Sequence, residues 1–321
     1  MKADKGYVEA EIAEGTDLVA EISRLKKEKN AVVLAHYYTL PEIQDVADFI
    51  GDSLALAQIA EKLDADIIVM CGVHFMGETV KILCPDKKVL VPDMNAGCSL
   101  ADSCPAPELQ KFIEEHPGHT VVSYVNTTAA VKALTDIVVT SGNALKVIES
   151  LPKDAKIIFG PDRNLGNYIN SQTGRQMLLW DGACHVHEQF SLEGILDLKK
   201  AHPEAKVLVH PECPAPVRLV ADKVGSTAVL LKWAEESPYQ QFIVATESGI
   251  IHEMKRRCPD KTFIPAPPEG STCGCNDCAF MKLNSLRKLY LTLLYELPEV
   301  TVDPSIIDRA RRPIERMLAI S

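Results

Sequence analysis

Short β-branched apolar runs alternate with longer segments of mixed polarity along the whole chain. The runs are Ala31–Ala35, Asp66–Met70, Lys88–Val91, Thr120–Ser123, Asp136–Val139, Lys156–Phe159, Lys206–Val209, Gln241–Ala245 and Thr262–Ile264. Strands this uniformly apolar are buried on both faces. With helices between them, they predict parallel sheets covered by helices. Most of the 20 prolines and 17 glycines fall at the ends of the runs, where turns belong. The first thirty residues read as a helix of mixed charged and apolar character, and Pro304–Ile320 reads as a C-terminal one.

The alternation repeats. Asp66–Asp93, Asp136–Asp162 and Gln241–Pro267 each read strand, small residues with glycine, helix, turn, strand. Val32–Tyr38, Val121–Asn126 and Val207–Glu212 align as the strands that precede them. The expected fold class is α/β, with three similar α/β/α units of parallel sheet around a pseudo-threefold axis. The expected division is 1–105, 106–190 and 191–285, with C-terminal helices in 286–321 packing back on the units.

Each leading strand ends in polar residues two apart: His36 and Tyr38, Tyr124 and Asn126, His210 and Glu212. Positions two apart on an extended strand share a face. The carboxyl ends of parallel strands are where open α/β sheets bind ligands. Small hydroxyl residues follow at helix starts. Gly51-Asp52-Ser53 pairs with Gly225-Ser226-Thr227, and Ser141-Gly142 is read as the partner of Ser248-Gly249. Such N-termini suit carboxylate or phosphate, although simple capping accounts for any one of them.

Charge narrows the partners. The formal net charge is −10, from 34 Lys and Arg against 44 Asp and Glu. A nucleic-acid or anionic-membrane binder needs the opposite field, so neither partner is expected. No apolar run approaches the roughly 20 residues of a membrane helix, and the acidic first segment has no signal-peptide core. A cytoplasmic chain is expected. Arg309, Arg311, Arg312 and Arg316 in the last helix are read as a solvated face with acidic partners.

Ten cysteines are unusual in such a chain, and without a secretory signal they point to metal or redox roles rather than disulfides. At least half are expected to be small buried hydrophobes. The repeat sorts them. Cys98, Cys184 and the Cys273-Gly274-Cys275-Asn276-Asp277-Cys278 segment each lie in a loop after a strand, 86 and 94 residues apart when counted to Cys278. Three thiolates at one point suit zinc, or an iron–sulfur cubane with one iron lacking a cysteine. That iron would be a Lewis acid suited to dehydration. The local Cys273, Cys275, Cys278 triplet reads equally as a zinc knuckle or a redox pair with a spare thiol. These residues alone leave open an iron–sulfur hydro-lyase acting on a small hydroxy acid, or a non-enzymatic cluster or zinc redox sensor.

A run of segments resembles the quinolinate synthase family. They are LAHYY (34–38), GDS (51–53), CGVHFMGETVKIL (71–83), GCSLAD (97–102), YVNT (124–127), TSGNA (140–144), FGPDRNLG (159–166), CHVHE (184–188), HPEC (210–213), VGST (224–227) and CAFMKLN (278–284). The likeness extends from about Ala31 to Leu318. It implies a [4Fe–4S] cluster on Cys98, Cys184 and Cys278, leaving Cys273 and Cys275 without an assigned role. It also implies a transferase of NAD biosynthesis that condenses iminoaspartate (iminosuccinate) with dihydroxyacetone phosphate to quinolinate, phosphate and water. By the same likeness, His36, Ser53, Tyr124, Val125, Asn126, Ser141, His210, Pro211, Glu212 and Thr227 contact substrate. Tyr38, Glu212, His36 and His210 are the catalytic candidates, with Tyr38 and Glu212 as acid and base. His187 is read as orienting the site or as a structural histidine. A functional link to L-aspartate oxidase, which supplies iminoaspartate, is implied, and the chain is expected as a monomer or homodimer.

Overall fold

The computed structural model describes residues 3–270 and 276–320. Cys273 and Cys275 lie outside the described residues. Twelve parallel strands form three four-stranded sheets among the described residues. The first holds β1 (Ala31–His36), β2 (Phe49–Gly51), β3 (Ile67–Cys71) and β4 (Lys88–Leu90). The second holds β5 (Thr120–Tyr124), β6 (Ile137–Val139), β7 (Ile157–Gly160) and β8 (Leu178–Leu179). The third holds β9 (Lys206–Val209), β10 (Lys223–Val224), β11 (Gln241–Ala245) and β12 (Thr262–Pro265). Each sheet has the same order, second-first-third-fourth. The α/β fold of three similar units is therefore present.

Nine of the strands match the nine apolar runs. The other three, β2, β8 and β10, are edge strands of two or three residues. Their side chains are mostly half-buried or exposed. An edge strand so short has little surface to bury and leaves no apolar run to read.

The phase of the repeat needs correction. Asp66–Asp93 spans β3 and β4, and Gln241–Pro267 spans β11 and β12, the third and fourth strands of their sheets. Asp136–Asp162 instead spans β6 and β7, the second and third. Unit two's true counterpart is β7 to β8. Two half-buried leucines make β8 nearly invisible, so the apolar pattern matched the stronger neighbouring pair. Hydrogen bonds give the register directly. Asp48, Asp136 and Asp222, each immediately before the second strand, accept the main-chain N–H of a valine fifteen residues earlier. Those valines are Val33, Val121 and Val207, each at 2.8 Å. Five residues after each aspartate come Ser53, Ser141 and Thr227. Ser141 is thus equivalent to Ser53 and Thr227, and not to Ser248.

Alternating burial sets the layers. In β11, Phe242 and Val244 enter one core while Ile243 and Ala245 enter another on the opposite face. The largest core joins the first two sheets, bringing Leu34, Ile68 and Met70 into one cluster with Val122, Val138 and Phe159. Ala310, Ile314 and Met317 of helix Pro304–Ile320 complete that core. The helix Leu286–Tyr295 packs against Leu18–Glu28 on the first unit.

Two helical expectations change. The N-terminal helix is only Leu18–Glu28. Gly6 and Gly15, at φ of 84° and 80°, sit in a left-handed conformation ahead of it. Asp17 caps the helix by accepting the Ala20 N–H. In the last helix the arginines mainly meet main-chain carbonyls. Arg311 donates to Ile82 and Leu83, Arg309 to Ala133 and Arg316 to Asp136. Ile82 and Leu83 end one helix and Ala133 caps another, so two of these arginines satisfy the orphan carbonyls of helix C-termini. The acidic contact is Glu315, 3.8 Å from Arg311.

Candidate active site

The three sheets aim their strand ends at one cavity with about 730 Å³ of atom-free space, mouth included. Each unit contributes the same three kinds of residue. First-strand ends bring His36 with Tyr38, Tyr124 with Asn126, and His210 with Glu212. Second-strand ends bring Ser53, Ser141 and Thr227, and fourth-strand loops bring Cys98, Cys184 and Cys278. Val125 also lines the cavity, while Pro211 does not; its carbonyl accepts from Arg218 at 3.3 Å.

His36 and Tyr124 close their strands with Tyr38 and Asn126 just beyond, while His210 and Glu212 both lie past the end of β9. In units one and three the turn repeats atom for atom. His36 Nδ1 accepts the Tyr38 N–H at 3.1 Å, and His210 Nδ1 accepts the Glu212 N–H at 3.4 Å. An accepting Nδ1 leaves the proton on Nε2, and His210 Nε2 lies 3.2 Å from Ser141 Oγ. Burial, with help from Lys282 and His187 respectively, pushes both imidazoles down to about 3, so both are neutral donors.

A hydrogen-bonded chain crosses the cavity wall. Thr227 Oγ1 meets Tyr38 OH at 2.8 Å, and Tyr38 OH meets Thr246 Oγ1 at 2.7 Å. Thr246 meets His187 Nε2 at 3.0 Å, His187 Nδ1 meets Glu212 Oε2 at 3.0 Å, and Tyr124 OH donates to Glu212 Oε1 at 2.5 Å. Burial works against the Glu212 charge, but His187 and the Tyr124 hydroxyl outweigh it and hold the carboxyl below its usual range. Burial raises both Tyr38 and Tyr124 well above the ordinary phenol value, so both stay protonated. Carboxylate, imidazole and phenols in one chain can store and relay protons.

Comparison with known proteins places this cavity in a family. A family profile described as "Quinolinate synthetase A protein" matches residues 20–319. The chain belongs to the quinolinate synthase family. Quinolinate synthase of Nostoc punctiforme is 57% identical over 305 residues, covering 95% of this chain and 94% of that one. The enzyme of Trichormus variabilis is 56% identical over the same shares. That of Chloroherpeton thalassium is 54% identical over 95% of both chains.

For a quinolinate synthase the three loop cysteines carry the next question, whether they fit an iron–sulfur cluster. Cys98, Cys184 and Cys278 are half-buried, unbridged and turned to the same cavity. Burial pushes the Cys98 thiol to about 12, Cys184 well above its ordinary value, and Cys278 upward. Desolvated thiols are poor at holding thiolate, and this trio suits a cationic iron group that would deprotonate them. Their loops are tied together. Ser99 Oγ lies 2.6 Å from His185 Nδ1, and Asn276 Nδ2 donates to Val186 O at 2.5 Å. The donor set fits. Cys71, Cys84, Cys104, Cys213 and Cys258 are buried in the cores instead.

Sequence reasoning missed the acids behind two of these loops. Asp162 Oδ2 accepts the Cys184 N–H at 2.8 Å, and Glu247 Oε1 accepts the Cys278 N–H at 3.0 Å. Both stand two residues past a third strand; Val73 occupies that place in unit one. Lys282 pairs with Glu247 at 2.8 Å and donates to Tyr38 O at 2.8 Å. Thr246 was missed as well. A corrected repeat phase would have exposed Asp162 and Glu247 as equivalent acids.

Proposed function

We propose that this chain condenses iminoaspartate with dihydroxyacetone phosphate, releasing quinolinate, one phosphate and two waters. The supporting observation is the convergence of three strand-end polar pairs, three hydroxyls and three cysteines on one cavity. Membership of the quinolinate synthase family supports the same product.

Cys98, Cys184 and Cys278 would hold a [4Fe–4S] cluster. When bound, it supplies one iron without a cysteine ligand, a Lewis acid for loss of a hydroxyl. The remaining work falls to side chains. Two carboxylates and a phosphate need donors. Ser53, Asn126, Ser141, Thr227 and the Nε2–H groups of His36 and His210 provide them without a free cation among them. Glu212 is the base that takes a carbon-bound proton from the triose. Tyr124 and His187 hold its two oxygens, so it faces the cavity in a fixed orientation. Tyr38 is the acid, giving its phenolic proton to a departing oxygen and regaining one through Thr246 and His187.

With this reading go a cytoplasmic location and a supply of iminoaspartate from an aspartate-oxidising enzyme such as L-aspartate oxidase. Among the described residues no helix is long and apolar enough to cross a membrane. The test is anaerobic turnover of the cluster-loaded chain with both substrates. Quinolinate and phosphate should appear one to one. Dehydration of a small hydroxy acid with no phosphate released from the triose would favour a hydro-lyase instead.

A further inference from the structure

Three unlike donor atoms meet in the cavity wall. Cys184 Sγ lies 3.3 Å from His187 Nδ1, which lies 3.0 Å from Glu212 Oε2. All three atoms fall within 4.8 Å of one another. A thiolate, an imidazole nitrogen and a carboxylate oxygen are ligands that zinc and cobalt(II) accept together. Around a tetrahedral ion with bonds of about 2.0–2.3 Å, such donors stand roughly 3.3–3.8 Å apart. The three side chains need little movement to close on one ion.

Each donor is also held from behind. Asp162 Oδ2 accepts the Cys184 N–H at 2.8 Å, and Cys184 and His187 share one helical turn. Thr246 Oγ1 holds His187 Nε2 at 3.0 Å, and Tyr124 OH holds the other oxygen of Glu212 at 2.5 Å. His187 and Glu212 are buried. Orienting partners of this kind mark built metal sites.

We propose that the chain, when it carries no iron–sulfur cluster, binds one zinc-like divalent cation through Cys184, His187 and Glu212. Water fills the fourth position. Binding releases the Cys184 thiol proton to solvent. The imidazole proton moves to Nε2, where Thr246 Oγ1 accepts it. The site shares Cys184 with the proposed cluster and Glu212 with the proposed chemistry, so a bound zinc ion excludes both. The inference needs only these side chains and stands apart from the quinolinate reaction.

The probe is cobalt(II) added to the cluster-free full chain under argon. One ion per chain should bind, with the visible bands of a four-coordinate site and a single-thiolate charge-transfer band. X-ray absorption should count one sulfur at the metal, a reading that needs no variant. His187→Ala and Glu212→Gln should weaken binding at least tenfold, and Thr246→Val about tenfold. Cys98→Ala and Cys278→Ala should bind as the parent does. Three sulfurs per cobalt would overturn the proposal while supporting the three-cysteine site. So would binding lost with Cys98 or Cys278 but kept without His187. No uptake at all would also overturn it.

Discussion

The Tyr124 hydroxyl stands 2.5 Å from Glu212 Oε1, joining the end of the first strand of the second unit to the turn after the first strand of the third. The two residues are 88 apart in the chain and come from different members of the repeated pairs, one leading and one trailing. Neither unit alone holds both this carboxylate and this hydroxyl, so the contact exists only where units meet. Removing the carboxylate with Glu212→Gln should lower kcat at least 100-fold, within the usual span of a lost general base. Tyr124→Phe, which keeps the base but removes one donor, should lower it less. Iron content should be unchanged in Tyr124→Phe. Full turnover in Glu212→Gln would remove the base assignment.

Glu247 and Lys282 form the second joint. Glu247 is fully buried and accepts from Cys278 N–H, Gly249 N–H and Lys282, while Lys282 also holds the Tyr38 carbonyl. Removing one partner leaves the other charge poorly compensated in a largely dry site. Glu247→Ala should destabilise the fold by about 3 kcal/mol and lower iron retention. Glu247→Gln, which keeps acceptor atoms, should recover part of both. Thermal melts and iron counts on the three proteins check this.

Lys132 offers a test by pH. Its ammonium is fully buried, donates to Val125 O and Thr127 O, and lies 5.3 Å over the Phe75 ring. Burial lowers its pKa from 10.5 to about 8. Between these values the unfolded chain binds more protons than the folded one, so the lysine's contribution to stability rises with pH. The cost of burying the charge is fully present below about pH 8 and is relieved toward pH 10.5. Urea unfolding at pH 7.5 and 9.5 should show wild type gaining stability relative to Lys132→Met. A flat difference would mean that the lysine is not desolvated as described.

The three equivalent aspartates test the corrected repeat. Asp48, Asp136 and Asp222 each hold a first-strand N–H at 2.8 Å. Alanine at any one should cost about 1.5–3 kcal/mol, as for a hydrogen bond to a charged acceptor. None should change substrate affinity, because none lines the cavity. Chemical denaturation and KM values distinguish this from a role in the site.

Much of the architecture was legible because a parallel strand covered on both faces is mainly apolar, and nine strands carry such a run. The polar pairs were legible because His36, Tyr124 and His210 interrupt such runs at equivalent places. What escaped lies where local pattern carries no information. The strand β8 buries too little to be seen, and its absence shifted the alignment by one strand. Thr246, Asp162 and Glu247 matter through contacts with residues 22 to 208 positions away, which no local spacing announces. Tyr38 and Glu212 read as an acid and base pair on titratable chemistry, and what that reading did not show is the link between them: the Tyr38 hydroxyl bonds to Thr227 and Thr246, and Tyr124 bonds to the carboxylate.

On the proposed function, the three units bring one cysteine each to a shared cluster. Iron and sulfide counts after anaerobic purification address it most directly, for wild type and for Cys98→Ala, Cys184→Ala, Cys278→Ala and Cys104→Ala. About four of each per chain are expected in wild type, the same in Cys104→Ala, and loss of the cluster in each of the other three. A full complement of iron and sulfide in any one of those three would contradict it.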